Sequence, residues 1–191
     1  MPRNVVLSHV KWITFVRQKK WYFIFGLIAI LIMSSLGVSV KGTFFVFALT
    51  IIGAFSTYYR KYVKLTFGFE TVTLATVLTT VAYGPVIGSI VGLVSAFGAE
   101  FIPELIDPSS FFWILSYIPV AFAVHSMNAS GVPLFWLGMI ATVIQNVIAE
   151  PIRIFSGDEL MRGMGVLSVG GSTVSNIILF SVVASPLLSL M

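Results

Sequence analysis

The chain has 191 residues, of which 58% are hydrophobic, 14% aromatic and only 9% charged. Soluble domains carry about 25% charged residues, so this composition cannot clothe a water-facing surface and excludes a soluble enzyme or binding module. With no cysteine and only His9 and His125 as histidines, a disulfide framework, a thiolate nucleophile and an imidazole-rich metal cluster are excluded as well.

The formal charge of +4 arises from 11 Lys and Arg against 7 Asp and Glu. In a membrane chain the placement of those charges sets topology, and their sum calls for no nucleic acid. Residues 1–20 hold Arg3, Lys11, Arg17, Lys19 and Lys20, and Val6, Val10, Ile13 and Val16 fall at helical spacing. That pattern predicts a basic, interfacial helix on an anionic leaflet. The uncharged run from Trp21 to Val40 exceeds the apolar core of a signal peptide, about 7–15 residues, and no A-x-A cleavage site closes it, so it reads as an uncleaved first span. A basic cytoplasmic segment, 1–20, thus precedes a single transmembrane domain, 21–191.

Six more apolar runs follow, at 44–59, 71–83, 86–101, 111–127, 132–149 and 166–190. They predict an all-α, polytopic transmembrane helix bundle of six to seven spans. The runs at 71–83 and 86–101 fall short of the roughly 20 residues of a spanning helix, and they meet at Gly84 and Pro85. If Lys64, Glu70 and Glu100 snorkel, residues 66–83 and 84–102 become two full spans joined by a tight turn; otherwise they form a re-entrant hairpin.

With the N terminus in the cytoplasm, Arg60, Lys61, Lys64, Arg153 and Arg162 join the basic start inside, and Lys41 alone lies outside, in a loop at 39–43. This bias is what the insertion machinery reads and predicts a multi-pass protein of the cell membrane. All the carboxylates, Glu70, Glu100, Glu104, Asp107, Glu150, Asp158 and Glu159, then sit in or beside inner loops, so charge chemistry belongs to the inner half. The Asn128, Ala129, Ser130 triplet matches a glycosylation acceptor but hugs the membrane.

Gly84, Gly88, Gly92, Ala96 and Glu100 recur every four residues. Such a stripe lets another backbone approach closely in lipid, either within the bundle or from a partner subunit, and Glu100 extends it as an acid facing the interior. Thr73, Thr76 and Thr80 share one face of the preceding helix, as interhelical glue or a cavity lining. Gln145, Asn146 and Glu150 form the best candidate polar lining: Asn146 and Glu150 lie one turn apart, and amides do not face lipid cheaply. Pro151 is expected to end that helix. Asn176, with Ser172, Thr173 and Ser175, makes a similar patch. His125, at an outer helix end above Tyr117, reads as an interfacial donor. Ser156, Gly157, Asp158 and Glu159 resemble the start of a short cytoplasmic helix. No catalytic motif, metal site or cofactor site is expected, and no lysine within a span is available for a retinal Schiff base.

Phe67, Gly68, Phe69 and Glu70, then Leu74, then Gly84, Pro85, Gly88 and Gly92 resemble the substrate-binding S components of energy-coupling-factor vitamin transporters, in which a short span leads to a G-P-x-x-G-x-x-x-G turn. The likeness covers residues 67–104. It implies a small all-helical protein that captures a vitamin-like micronutrient from outside and docks through small residues, here Ala48, Gly53 and Ala54, onto a membrane coupling subunit driven by two ATPases. The family usually has six spans and places this turn inside, whereas the charges here give seven and place it outside. The expectation is a small-solute binder with a tentative site of Asn146, Gln145, Glu150, Thr76 and Asn176. The alternative is a non-catalytic scaffold of a larger membrane complex that presents the glycine stripe to a partner.

Overall fold

The computed structural model describes residues 37–63, 68–104, 106, 108–156 and 159–191. The basic segment 1–20, most of the run at 21–40 and Lys64 lie outside these residues. By its contacts the chain divides into residues 1–43 and 44–191, and the elements that position the site belong to the second unit.

Among the described residues all regular structure is helical. The helices are α1 (Val40–Phe55), α2 (Arg60–Val63), α3 (Val72–Tyr83), α4 (Pro85–Phe101), α5 (Pro108–Leu115), α6 (Tyr117–Ala129), α7 (Leu134–Ser156), α8 (Glu159–Ile178), a π-helical turn at Leu179–Val183, and α9 (Ala184–Leu190). Four stretches are long and apolar enough to cross a membrane: Val40–Val63, Ser109–Ala129, Leu134–Pro151 and Arg162–Leu190. They match four of the expected apolar runs.

Three boundaries depart from expectation. The loop expected at 39–43 is already helical from Val40, because the Ser39 hydroxyl caps the helix by accepting the Gly42 N–H at 3.0 Å. Pro151 does not end α7, which continues to Ser156; its ring removes only the N–H that would have bonded the Val147 carbonyl. The short helix expected around Ser156 to Glu159 is instead the start of a long one, since α8 runs on from Glu159 to Ile178.

The hairpin of α3 and α4 is the centre of the fold. Nine of the twelve residues of α3 are buried, and it packs against α4, α6 and α7. At 1.5 Å per residue α3 is about 18 Å long, less than the roughly 30 Å of a hydrocarbon core. A short helix is tolerated at membrane depth where protein encloses it, and enclosure also explains its threonines. Thr76, Thr79 and Thr80 return their hydroxyls to carbonyls of their own helix, at 2.8, 2.7 and 2.7 Å, which leaves a smooth polar ridge.

The glycine stripe of α4 lies over that ridge. A Cβ on Gly88 would strike the Thr80 side chain, and one on Gly92 would come within 2.7 Å of both Thr76 Oγ1 and Tyr117 Cβ. Ala96 and Glu100 continue the same buried face, at 0% and 2% exposure. Gly84 has open space around it and is needed for its backbone, since its φ of +91° closes the turn into Pro85. Gly53 and Ala54 of α1 are also occupied within the chain: a Cβ on Gly53 would lie 2.8 Å from Ser95 Cβ, and Ala54 packs on Gly98.

Candidate functional site

Towards one end of the bundle the C-terminal end of α4 and the turn leading into α3 meet the facing stretches of α7 (145–150) and α8 (168–172), with Arg60 of α2 beside them. There Val72, Ala96, Ala99, Trp113, Tyr117 and Ala149 form an apolar cluster, and next to it lies a cavity of about 30 Å³. Its lining includes Arg60, Glu70, Glu100, Gln145, Asn146 and Glu150, an unusual density of polar groups in so apolar a chain.

Each carboxylate is held differently. Glu100, 2% exposed, accepts Arg60 Nη1 at 2.6 Å on one oxygen and the Ser110 hydroxyl at 2.9 Å on the other. Arg60 reaches this position because the chain turns after Phe55, where the Thr57 hydroxyl donates to the Ala99 carbonyl of α4. Glu70 accepts the Thr73 N–H at 3.0 Å and the Thr73 hydroxyl at 2.6 Å. It thereby satisfies the start of α3 from outside the helix, a carboxylate at the positive end of the dipole. It was expected to snorkel towards the interface, but it is only 5% exposed, because Gly68 holds the preceding turn hard against α8. The φ of Gly68 is +67°, and a Cβ there would strike the Ser168 carbonyl and the Ser172 N–H. Glu150 accepts the Ser168 hydroxyl at 2.9 Å.

This last contact is one rung of a ladder between α7 and α8. Asn146 Nδ2 donates to Ser172 Oγ at 3.1 Å, and Asn176 Nδ2 donates to Thr142 Oγ1 at 3.0 Å. Positions 142, 146 and 150 face 176, 172 and 168, each set stepping by four, so one face of each helix is polar for more than two turns. Asn176 is wholly buried beside Glu70, and its Oδ1 has no hydrogen-bond partner among the described residues.

Of the residues singled out from sequence, Gln145, Asn146 and Glu150 line the cavity, with Glu100 of the stripe opposite. Asn176 stands behind Glu70 without lining it, and Thr76 is turned into the α3–α4 contact. His125 is exposed at the far end of α6. Sequence reasoning missed Arg60 and Ser168 as lining residues. Arg60 had been counted only as a topology signal, since its partner lies 40 residues away. Among the described residues no trio of acids or histidines converges closely enough to hold a metal ion. Compared with models of protein families, with curated proteins and with solved structures, the chain matches none.

Proposed function

We propose that this chain is a multi-pass cell-membrane protein, crossing the bilayer six or seven times, which binds a small solute within its bundle as the substrate-capture subunit of a transporter. The polar cavity between the turn at Gly68–Glu70, Arg60, Glu100 of α4, and α7 and α8 carries this reading: buried amides and carboxylates are costly inside a membrane bundle and mark solute pathways. The resemblance of residues 67–104 to vitamin-transporter S components points the same way. In the scaffold reading the glycine stripe greets a partner; its use within the chain, under Thr80, Thr76 and Tyr117, favours the binder.

With the N terminus in the cytoplasm, the cavity lies in the cytoplasmic half, on the release side of an importer. Its 30 Å³ admits a group of a few atoms, so a vitamin-sized solute requires α7 and α8 to part from α3 and α4. Energy for such a cycle comes from a partner subunit, since no nucleotide-binding motif is present in the sequence.

The test is thermal unfolding of the purified full chain in detergent against a panel of vitamins, amines and ions. A ligand at a hundredfold excess over Kd stabilises by about 2.7 kcal/mol. At least one compound is expected to raise Tm saturably, and Asn146→Ala should reduce that shift. A panel without effect would support the scaffold.

A further inference from the structure

We propose that Glu70 is a proton-binding site: enclosed as it is here, its carboxyl holds a proton at neutral pH, and it gives that proton up when bulk water reaches it. The inference stands apart from the solute reading, since a proton needs only the carboxyl and its hydrogen-bond partners.

Burial without a charged partner is the first ground. Glu70 is 5% exposed, and the groups that meet its carboxyl are the Thr73 N–H at 3.0 Å, the Thr73 hydroxyl at 2.6 Å, the Val72 N–H and the Asn176 amide, all of them neutral. An ionised carboxylate taken out of water without a counter-charge costs more than neutral donors return, and such a group neutralises by taking up a proton. The positive end of the α3 dipole offsets only part of that cost.

The surrounding elements do not supply the missing charge. Among the described residues, the other ionisable groups on the cavity are Tyr59, Arg60, Glu100 and Glu150. Arg60 is bonded to Glu100 at 2.6 Å, and Glu150 accepts the Ser168 hydroxyl at 2.9 Å. Tyr117 of α6 faces Glu70 through Thr73. Neither α5 nor the facing stretch of α8, residues 168–176, carries an ionisable side chain.

The second ground is a hydrogen-bond chain that fits both protonation states without any side chain moving. Thr73 Oγ1 lies 2.6 Å from Glu70 Oε1 and 3.4 Å from Tyr117 Oη, and Tyr117 is wholly buried. With Glu70 ionised, the tyrosine hydroxyl donates to Thr73 and Thr73 donates to the carboxylate. With Glu70 protonated the direction reverses: the carboxylic O–H donates to Thr73 Oγ1, and Thr73 donates to Tyr117 Oη. The Thr73 N–H stays on Oε2 in both states. Only hydrogens rotate. The proton comes from hydronium and returns to water, and the cavity of about 30 Å³ beside Glu70 has room for the water that exchanges it, which needs about 10–15 Å³.

The experiment is infrared spectroscopy of the detergent-purified full chain, titrated in ordinary and heavy water. An acid C=O band is expected at pH 7 that shifts in heavy water and disappears as pH rises. It should be absent from Glu70→Gln and retained in Glu104→Gln, whose carboxylate is exposed. Unfolding in mixed micelles supplies the thermodynamic sign. A proton bound when folded and released on unfolding gives stability that is complete below about pH 4.3, where exposed glutamate ionises, and is lost as pH rises, the unfolding constant growing up to tenfold per pH unit. Glu70→Gln should remove that slope relative to the native chain. Should Glu70→Gln fail to fold, Thr73→Val, which removes a donor that favours the charged form, should move the midpoint of the acid band to higher pH. No acid band at pH 7, a band that persists in Glu70→Gln, or a midpoint unmoved by Thr73→Val overturns the proposal.

Discussion

Arg60 and Glu100 occupy a nearly dry place, with side chains 11% and 2% exposed, where neither charge is cheap without the other. Removing one partner of a buried pair typically costs about 3–5 kcal/mol, whereas replacing both with apolar groups is often neutral. Arg60→Met is therefore expected to destabilise the protein by about 3 kcal/mol, and the double variant with Glu100→Met to recover most of that loss, as read from unfolding by sodium dodecyl sulfate in mixed micelles. A loss in the double variant equal to the sum of the two single losses would show that the pair does not act as a unit. Gly68→Ala meets two obstacles, a φ of +67° and the backbone of α8 at Ser168 and Ser172. A loss of about 1–3 kcal/mol is expected, together with weaker solute binding, because this turn delivers Glu70.

Among the helices, the tight contact of α3 with α4 depends on the absence of side chains at Gly88 and Gly92. Gly92→Val places branched carbons where Thr76 Oγ1 and Tyr117 Cβ already lie within 2.7 Å of a Cβ; overpacking of this kind costs about 1–3 kcal/mol or more, measurable as a fall in Tm. The ladder between α7 and α8 is weaker by nature, since an interhelical hydrogen bond in a membrane protein averages about 0.6 kcal/mol. Ser172→Ala should accordingly change stability by less than about 1 kcal/mol, so a larger effect on solute affinity than on stability would assign that rung to binding.

The polar face of α7 was legible in advance because Gln145, Asn146 and Glu150 do not all face lipid cheaply; its pairing with Ser168, Ser172 and Asn176 of α8 was not. The stripe was legible as a packing face because its period of four is helical. Which surface would cover it was not, since only the fold brings Thr76, Thr80 and Tyr117 over it. Glu70 was read as a snorkelling acid from its place at the end of an apolar run; the turn at Gly68 that draws it inward depends on α8, about 100 residues away. Arg60 illustrates the same limit, because charge counting registers the side of the membrane and is blind to the partner. Pro151 was overread: one lost hydrogen bond did not stop α7, which continues to Ser156.

Among the described residues of 44–191, the helices gather the buried acids, the buried amides of α7 and α8 and Arg60 towards one end, in keeping with the asymmetric placement of lysine and arginine along the sequence. The proposed topology places the cavity towards the cytoplasm and the Gly131 turn, whose φ is +78°, outward. The chain has no cysteine, so single cysteines at positions 104 and 131 can be labelled without background by a membrane-impermeant maleimide. The account predicts labelling of Gly131→Cys in intact cells and of Glu104→Cys only after permeabilisation. Labelling of both from the same side would contradict it.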